Sequence, residues 1–282
     1  MSKRKQTGSD SDSDDNGEVN LINVDFDFFD PNPDVDFHAL KRLIVQVFQT
    51  DAEHLFPSDL ADLILSQPQV GSTVKTDGKE SDPYAILTAI NMHQHKDNPS
   101  IRALAEYALL KSQGNPAFSA TLQSLLGSSD ASSRVGLIFS ERLINMPVQV
   151  VPHMYRMLAD ELQAAIAKNE PYNFSHLLLF SRIYRLSPEE EAALNAQSTP
   201  SQTKKRRAQQ THLQTSANGI YSFHHEDPII QKLALHSLDY DFTNTQPREE
   251  DAFGLNLGGR MVLLSADKLP QLVSEMTEAF ST

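Results

Sequence analysis

Between Ile22 and Phe28 apolar and polar residues alternate without a break. Successive side chains on a strand point to opposite faces, so Ile22, Val24, Phe26 and Phe28 line one face and Asn23, Asp25 and Asp27 the other. This predicts a half-buried strand with a hydrophobic core side and an anionic solvent side. Asp30-Pro31-Asn32-Pro33 cannot extend that strand, because proline lacks the ladder donor, and it reads as a turn. Asp34 or Asp36 then caps a helix whose buried stripe is Phe37, Leu40, Ile44, Val47 and Phe48. A strand with one greasy face, followed at once by an amphipathic helix, commits the chain to a layered α/β architecture. What the strand alone leaves unexplained is its row of carboxylates.

The rest of the chain continues the alternation. Phe56-Pro57-Ser58 introduces a short helix with Ser58 as cap and Leu60, Leu63 and Ile64 buried. Val70 to Thr76 offers a strand closed by the turn signal Asp77-Gly78. Tyr84 to Asn91 is a strand or a buried helix segment, since periodicity does not choose. Two helices follow, carried by Ile101, Leu104, Ala105, Ala108 and Leu109 and by Phe118, Leu122, Leu125 and Leu126. Arg134 to Leu143 is a strand, and Val151, Met154, Tyr155, Leu158, Leu162, Ala165 and Ile166 give a long helix its stripe. Phe174 to Leu186 is apolar enough for a central strand covered on both sides. Ser187-Pro188-Glu189-Glu190 combines a serine cap, an early proline and a glutamate at the third position, which opens a helix. After residues 195–219, strands at Ile220–His224, Leu238–Phe242 and Arg260–Leu264 alternate with a helix from Asp227 through Leu235 and a final one. Asp267 caps that last helix, which buries Leu269, Leu272, Val273, Met276 and Phe280. Interleaved elements of this kind form a sheet with helices against it, and the short hairpin-like strands favour a mixed sheet.

Charge is unevenly placed. The chain carries a net charge of −13, and residues 1–36 hold ten acids against three bases. Such a field repels a phosphate backbone and attracts a basic partner, which disfavours direct nucleic-acid binding. Residues 1–18 contain no apolar residue after Met1 and are expected to form a disordered acidic tail. Lys3, Arg4 and Lys5 in it, and Lys204, Lys205, Arg206 and Arg207 in the polar 195–219 stretch, are candidate nuclear-import elements. Ser9 and Ser11 each precede an aspartate by three residues, the pattern an acidophilic kinase prefers; phosphate there deepens the anionic field. The 195–219 stretch reads as a flexible basic insertion within one globular domain spanning 19–282, because too little sequence follows for a second core.

Chemistry-bearing motifs are sparse. The sequence has no cysteine, hence no thiolate nucleophile and no cysteine-ligated zinc. His93 and His95, and the pair His224-His225, match no metal-ligand spacing, and surface or partly buried polar roles are the expectation for them; no metal site and no catalytic residue is assigned. Asp25 and Asp27 as an acid/base pair lack an apolar pocket to raise one pKa. Gly254, Gly258 and Gly259 precede a strand, not a helix, and are expected to form a turn instead of a phosphate loop. No run of 18 apolar residues and a polar start lead to the expectation of a soluble intracellular chain, without a membrane span or secretory signal. What survives is binding: an anionic strand face as an electrostatic trap, with apolar neighbours for lasting affinity.

The segment VNLINVDFDFFDPNPDVDFHALKRLI, the segment DLADLILSQPQVGSTVKTDG ending at Gly78, and YSFHHEDP at 221–228 resemble the BCCIP-type nuclear proteins of fungi and animals. So does the acidic, serine-rich tail before the strand. The resemblance covers roughly residues 19–280. It implies a single α/β domain of GNAT-like topology, mixed and largely antiparallel, without acetyl-transfer activity and with no cofactor. In keeping with this, the glycine-rich loop that acetyl-CoA pyrophosphate requires has no counterpart here. It further implies a nuclear, shuttling chaperone or adaptor for a basic client, a large-subunit ribosomal protein, with a part in nuclear export and ribosome biogenesis. Nuclear transport factors and a lipid kinase are implied as further partners. Asp25, Asp27, Phe28 and Phe29 are the candidate client-binding residues. The competing readings are a scaffold in DNA repair or cell-cycle control, which predicts salt-insensitive partners, and a divergent acyltransferase, which predicts acetyl-CoA binding near Gly254 to Gly259.

Overall fold

The computed structural model describes residues 25–67, 69–130, 133–197, 219–243 and 256–280. The strands are β1 Asp27–Phe29, β2 Ser72–Lys75, β3 Ala85–Asn91, β4 Val135–Arg142, β5 His176–Arg185, β6 Ile220–Ser222, β7 His236–Asp241 and β8 Asn256–Ser265. The helices are α1 Phe37–Phe48, α2 Pro57–Leu65, α3 Pro99–Lys111, α4 Pro116–Leu126, α5 Val150–Ala167, α6 Pro188–Gln197, α7 Asp227–Leu233 and α8 Leu269–Phe280. The strands form one sheet in the order β1-β2-β3-β4-β5-β8-β7, with β6 pairing the far end of β5. Every pairing is antiparallel except β4 with β5, which α5 links as a crossover. This is the mixed, largely antiparallel sheet that the resemblance implies.

Strand periodicity divides the core into two layers. Ile86 and Ile90 of β3, Leu178 and Phe180 of β5, and Met261 and Leu263 of β8 face α1, α2, α3 and α4. Their alternates Leu87 and Ala89, Leu177 and Leu179, and Val262 and Leu264 face α5, α7 and α8. A sheet covered on both faces needs strands apolar at nearly every position. β3 is buried along its whole length and apolar at all positions but Thr88 and Asn91; the Tyr84–Asn91 segment is a strand.

The described part of the first strand is shorter than the alternation suggests. β1 spans three residues, and the positions before Asp25 lie outside the described residues. Several helix starts also differ from expectation. Phe56, in left-handed backbone at φ 51°, occupies the cap position of α2, so Ser58 sits inside the helix. Asp267 lies in a 3-10 turn, Ala266–Lys268, and α8 begins after it. Ile166 is 40% exposed and drops out of the α5 stripe. Ser187 does form the expected reciprocal cap: its Oγ accepts from the Glu190 N–H at 3.2 Å, and the Glu190 carboxylate accepts from the Ser187 N–H at 2.7 Å. The helix it opens reaches Gln197, beyond the expected start of the insertion.

Gly258 and Gly259 are not a turn but part of β8. A Cβ on Gly259 would lie 2.2 Å from the Tyr240 ring on the adjacent strand, so the missing side chain is what lets that ring cross the strand. Gly254 is outside the described residues. At Asp77-Gly78 the expected turn is present, with Gly78 at φ +83°.

Asp36 precedes α1, yet its side chain makes no cap hydrogen bond. Its carboxylate is committed elsewhere. One oxygen accepts from Lys75 Nζ at 2.6 Å, the other from the Asn32 N–H at 2.8 Å, and Lys75 also donates to the Lys79 carbonyl at 2.7 Å. Both side chains are fully buried. This pair fastens the Asp30–Pro33 turn to β2 and to the loop after it, and so fixes where β1 lies. Removing one partner of a buried pair strands the other charge at a cost of about 3–5 kcal/mol, while replacing both with apolar groups is often near neutral. Asp36→Asn should therefore lose about 3–5 kcal/mol in urea unfolding, and Asp36→Leu with Lys75→Met should recover most of it. A single variant that unfolds at the wild-type midpoint would exclude a buried pair.

Candidate functional site

Two surfaces stand out, one at each side of the sheet's irregularities. The first is the β1 edge. β1 is outermost, pairing only with β2. Its register sets Asp27 opposite Lys75 and Phe29 opposite Thr73. Asp25, Asp27 and Asp30 are exposed and have no ion-pair partner among the described residues. Phe29 shares the Asp25 and Asp27 face and is half-buried, with Lys75 Nζ 6.0 Å from its ring centroid. Phe28 is turned the other way, packing against the α5 layer with its ring edge-on to His153 at 6.3 Å. The structure thus brings Asp25, Asp27 and Phe29 together and sets Phe28 apart. Asp30 adds to an acidic neighbourhood that includes Glu161: burial raises the Glu161 carboxyl above its usual range, and the Asp30 charge adds to the rise. The opposite edge strand, β7, also carries two acids. There Asp239 meets Arg260 at 2.6 Å and Asp241 meets Arg185 at 2.7 Å. Among the described residues, the acids of the β7 edge are paired with arginines and those of the β1 edge are not.

The second surface arises where β4 and β5 part. Their parallel pairing runs from Val135 opposite His176 to Ile138 opposite Leu179 and then stops. Beyond that point the strands diverge, β6 takes the free side of β5 from Ile183 to Arg185, and the wedge is filled by ions. On the α1 side, Glu141 accepts from Arg182 at 3.3 Å, from His224 Nε2 at 2.9 Å, from Gln46 at 3.0 Å and from the Arg142 N–H at 2.9 Å. On the α5 side, Arg142 grips both oxygens of Glu226, with Nη2 to Oε2 at 2.9 Å. Every one of these charged groups is at least nine-tenths buried. Burial alone would raise the Glu141 carboxyl, but the His224 and Arg182 charges outweigh it and hold it at about 2. Burial would likewise lower His224, and the Glu141 carboxylate overrides this and raises it. Burial pushes Asp227 up to about 6, with the Glu226 charge adding to the rise.

His224 is therefore not the surface or partly buried residue that its sequence context suggests; it is buried, with its Nε2 on the Glu141 carboxylate. The signal that could have found this cluster was available: Glu141, Arg142 and Arg182 are charges inside segments otherwise apolar enough to be buried on both faces. Residues of the acidic tail, Lys3, Arg4, Lys5, Ser9 and Ser11, and the basic run Lys204, Lys205, Arg206 and Arg207 lie outside the described residues.

At the mouth of the wedge a largely apolar groove of about 400 Å³ opens, lined by Ile144, Met146, Val148, Leu186 and Phe223, with Tyr184 and the basic side chains Arg142, His224 and His225 also in its lining. Ile144 is 75% exposed, and nothing in its sequence context marks it. The junction from β4 to α5, residues 143–149, contains no glycine. The first N–H groups of α5 are already bonded, Val150 to the Pro147 carbonyl and Val151 to that of Val148, and Pro152 has none. The strand-to-helix turn between the two parallel strands thus offers no cradle for a pyrophosphate. No group of three or more potential metal ligands occurs among the described residues.

The ion cluster gives the fold a pH signature. His224, raised above its ordinary 6.5, contributes stability that is complete below that value and is lost as pH rises through its folded pKa. Glu141, lowered from 4.5 to about 2, contributes stability present above 4.5 and lost as pH falls toward 2. Asp227, raised from 3.8 to about 6, works against the folded state as pH rises across that interval. Substituting His224→Asn should cost about 1–3 kcal/mol near pH 6. In urea titrations above pH 6.5, the difference from wild type should shrink as pH rises. A difference that stays constant with pH would show that His224 holds no extra proton when folded.

Comparison with known proteins places these features in a family. A family model described as BCCIP matches residues 21–230. The chain is 43% identical to "Protein bcp1" of Schizosaccharomyces pombe, over 94% of this chain and 92% of that protein. It is 41% identical to "Protein bcp1" of Emericella nidulans, over 98% and 92% respectively. The crystal structure of BCP1 from Saccharomyces cerevisiae superposes with a TM-score of 0.61 at 28% identity, covering 94% of this chain and 93% of that one. With the matched region spanning β1 through α7 and including both the acidic edge and the ion-filled wedge, the chain belongs to the BCCIP family.

Proposed function

We propose that this protein is a nuclear, non-enzymatic chaperone or adaptor that shields a basic client, a large-subunit ribosomal protein, and accompanies it in ribosome biogenesis and nuclear export. The observation that carries this reading is the contrast between the two sheet edges. Asp239 and Asp241 on β7 are paired with arginines, whereas Asp25, Asp27 and Asp30 stand exposed on β1 and contribute to a strongly anionic N-terminal region. Unpaired surface charge adds little to stability but shapes the long-range field that governs encounter. A ribosomal protein not yet on rRNA carries uncompensated bases. An acidic partner screens them and yields the client to the denser phosphate field of the ribosome. Such exchange needs no nucleotide and no covalent step. Family membership supports the reading, as does the closed α5 terminus, which leaves an acyltransferase without its anion cradle. The reading includes import through Lys3–Lys5 or Lys204–Arg207, export with transport factors, and a lipid kinase among the cargoes.

The scaffold reading, in which folded partners of repair or cell-cycle pathways bind through apolar surface, draws on the groove at Ile144. Salt separates the two. A purified large-subunit ribosomal protein should associate with Asp25→Asn, Asp27→Asn at a rate reduced several-fold in stopped flow, with a shallower dependence of log rate on log salt and little change in dissociation. An unaltered rate and slope would remove the β1 edge from client capture.

A further inference from the structure

Where the β4–β5 pairing ends, the chemistry of the α5 face changes. The last register of the ladder sets Ile138 opposite Leu179, and both side chains belong to the α5 layer. One step further along that face the two strands carry Ser140 and Ser181 instead. These serines line a small internal cavity of about 20 Å³, which Tyr155 of α5 and the run His224, Glu226 and Asp227 complete. Four buried side-chain polar atoms among the described residues make no hydrogen bond, and three of them belong to this cavity: the Tyr155 hydroxyl, the Ser181 hydroxyl and Asp227 Oδ2. Tyr155 is 1% exposed and Asp227 4%. The Tyr155 hydroxyl lies near Ser140, and the Ser181 hydroxyl near Asp227, yet neither pair closes a hydrogen bond. Polar groups left unbonded in a packed interior are costly, and three around one cavity point to a shared partner.

Size and charge define that partner. A cavity needs roughly 10–15 Å³ and two to four polar partners to hold one water, and this one provides both with little to spare. The occupant must donate to a carboxylate oxygen and also bond two hydroxyls. A cation meets opposition, since the His224 and Arg260 charges already act on Asp227 and Arg142 is bound to Glu226 beside it. A neutral molecule that both donates and accepts fits all three groups.

We infer that this cavity is a binding site for a single ordered water, which donates to Asp227 Oδ2, accepts from the Tyr155 hydroxyl and shares a hydrogen bond with the Ser181 hydroxyl. The water joins α5, β5 and the start of α7 at one point. Direct bonds already hold the preceding residues: Phe223 N–H donates to the Arg182 carbonyl, His224 meets Glu141 and Glu226 meets Arg142. The water extends that attachment by one residue, to Asp227, on the α5 side of the sheet. His224 lines both this cavity and the groove at Ile144, so one imidazole forms part of the partition between the water and the outer surface. The site is independent of the basic-client reading and stands whether or not the β1 edge captures a client.

The test uses the full chain. A high-resolution crystal structure should show one isolated density peak about 2.6–3.2 Å from Tyr155 Oη, Ser181 Oγ and Asp227 Oδ2. In solution, the Tyr155 ring protons should cross-relax with a proton at the water frequency, with the sign of a molecule that tumbles with the protein. Ser181→Val puts a methyl group into the cavity and keeps the Tyr155 hydroxyl, so loss of that signal in the variant reports the water and not the hydroxyl proton. Tyr155→Phe and Ser181→Ala should each raise the unfolding constant about fivefold, and the double variant should raise it by less than the product, because both side chains share one partner. A cavity without density, in which Tyr155, Ser181 and Asp227 bond one another directly, would overturn the site. Markedly shorter contacts, with an anomalous signal in crystals soaked in rubidium chloride, would make the occupant a cation and overturn a water. Unfolding effects that simply multiply would overturn the shared partner. Should a variant fail to fold, the wild-type density alone decides.

Discussion

Two parallel strands that begin as neighbours and then separate leave an opening that something must fill, because unpaired backbone and voids in a packed interior are both costly. Here the filling is ionic. Glu141 gathers Arg182, His224 and Gln46 on one face of the sheet, and Arg142 takes Glu226 on the other. A buried ion pair gains little over a well-packed apolar substitute, since desolvation consumes much of the Coulomb attraction. What this cluster gains is definition. Each oxygen of Glu141 and Glu226 has a named donor, which ties residues 223–227 to β4 across the wedge. From that tie follow the position of β6 and the groove at the mouth of the wedge.

The Lys75–Asp36 pair does the corresponding service at the other side of the sheet. Neither charge is reachable by solvent, and together they pin the turn between β1 and α1 to β2. β1 is too short to hold its own place by ladder bonds alone, so the acidic edge draws on this contact, together with the packing of Phe28, for its geometry. The chain has thus hidden a small number of compensated charges inside in order to hold uncompensated ones in a fixed position outside. The two kinds act on different scales: exposed carboxylates act over roughly 8–10 Å before salt screens them, whereas apolar contact acts only on touching.

Much of this architecture was legible in the residue pattern. The alternation before Phe28, the stripes of α1, α5 and α8, the Ser187–Glu190 cap and the doubly apolar β5 follow from periods of 2 and 3.6 and from local hydrogen-bond chemistry. Other features depend on pairings between distant residues, and local signals mislead there. Asp36 has the right identity and position for a cap, but Lys75, thirty-nine positions away, claims its carboxylate. Gly258-Gly259 looks like a turn because the reason for the glycines is the Tyr240 ring on another strand. His224 and Ile144 carry no sequence signal for their opposite fates, one sealed in the wedge and one exposed. Of the candidate site, Asp25, Asp27 and Phe29 were legible as a face, while Phe28 was assigned to it by proximity in sequence against the strand alternation that places it in the core.

A bland account of the β1 carboxylates is that they guard an edge strand against pairing with other chains. That account should then apply to every edge. β7 carries acids too, but arginines cancel them, and its protection is steric and local. β6 carries none: Ile220, Tyr221 and Ser222 present an uncharged edge, recessed where the chain folds into the wedge. If edge protection were the purpose of acidic residues in this sheet, β6 would be the strand to charge, since among the described residues it pairs only with β5 and stands beside a largely apolar groove. The exposed acids Asp25 and Asp27 instead stand at β1, with no ion-pair partner among the described residues. On the basic-client reading proposed above, this placement is costly as protection and effective as recruitment, since exposed carboxylates raise the rate at which a basic chain arrives.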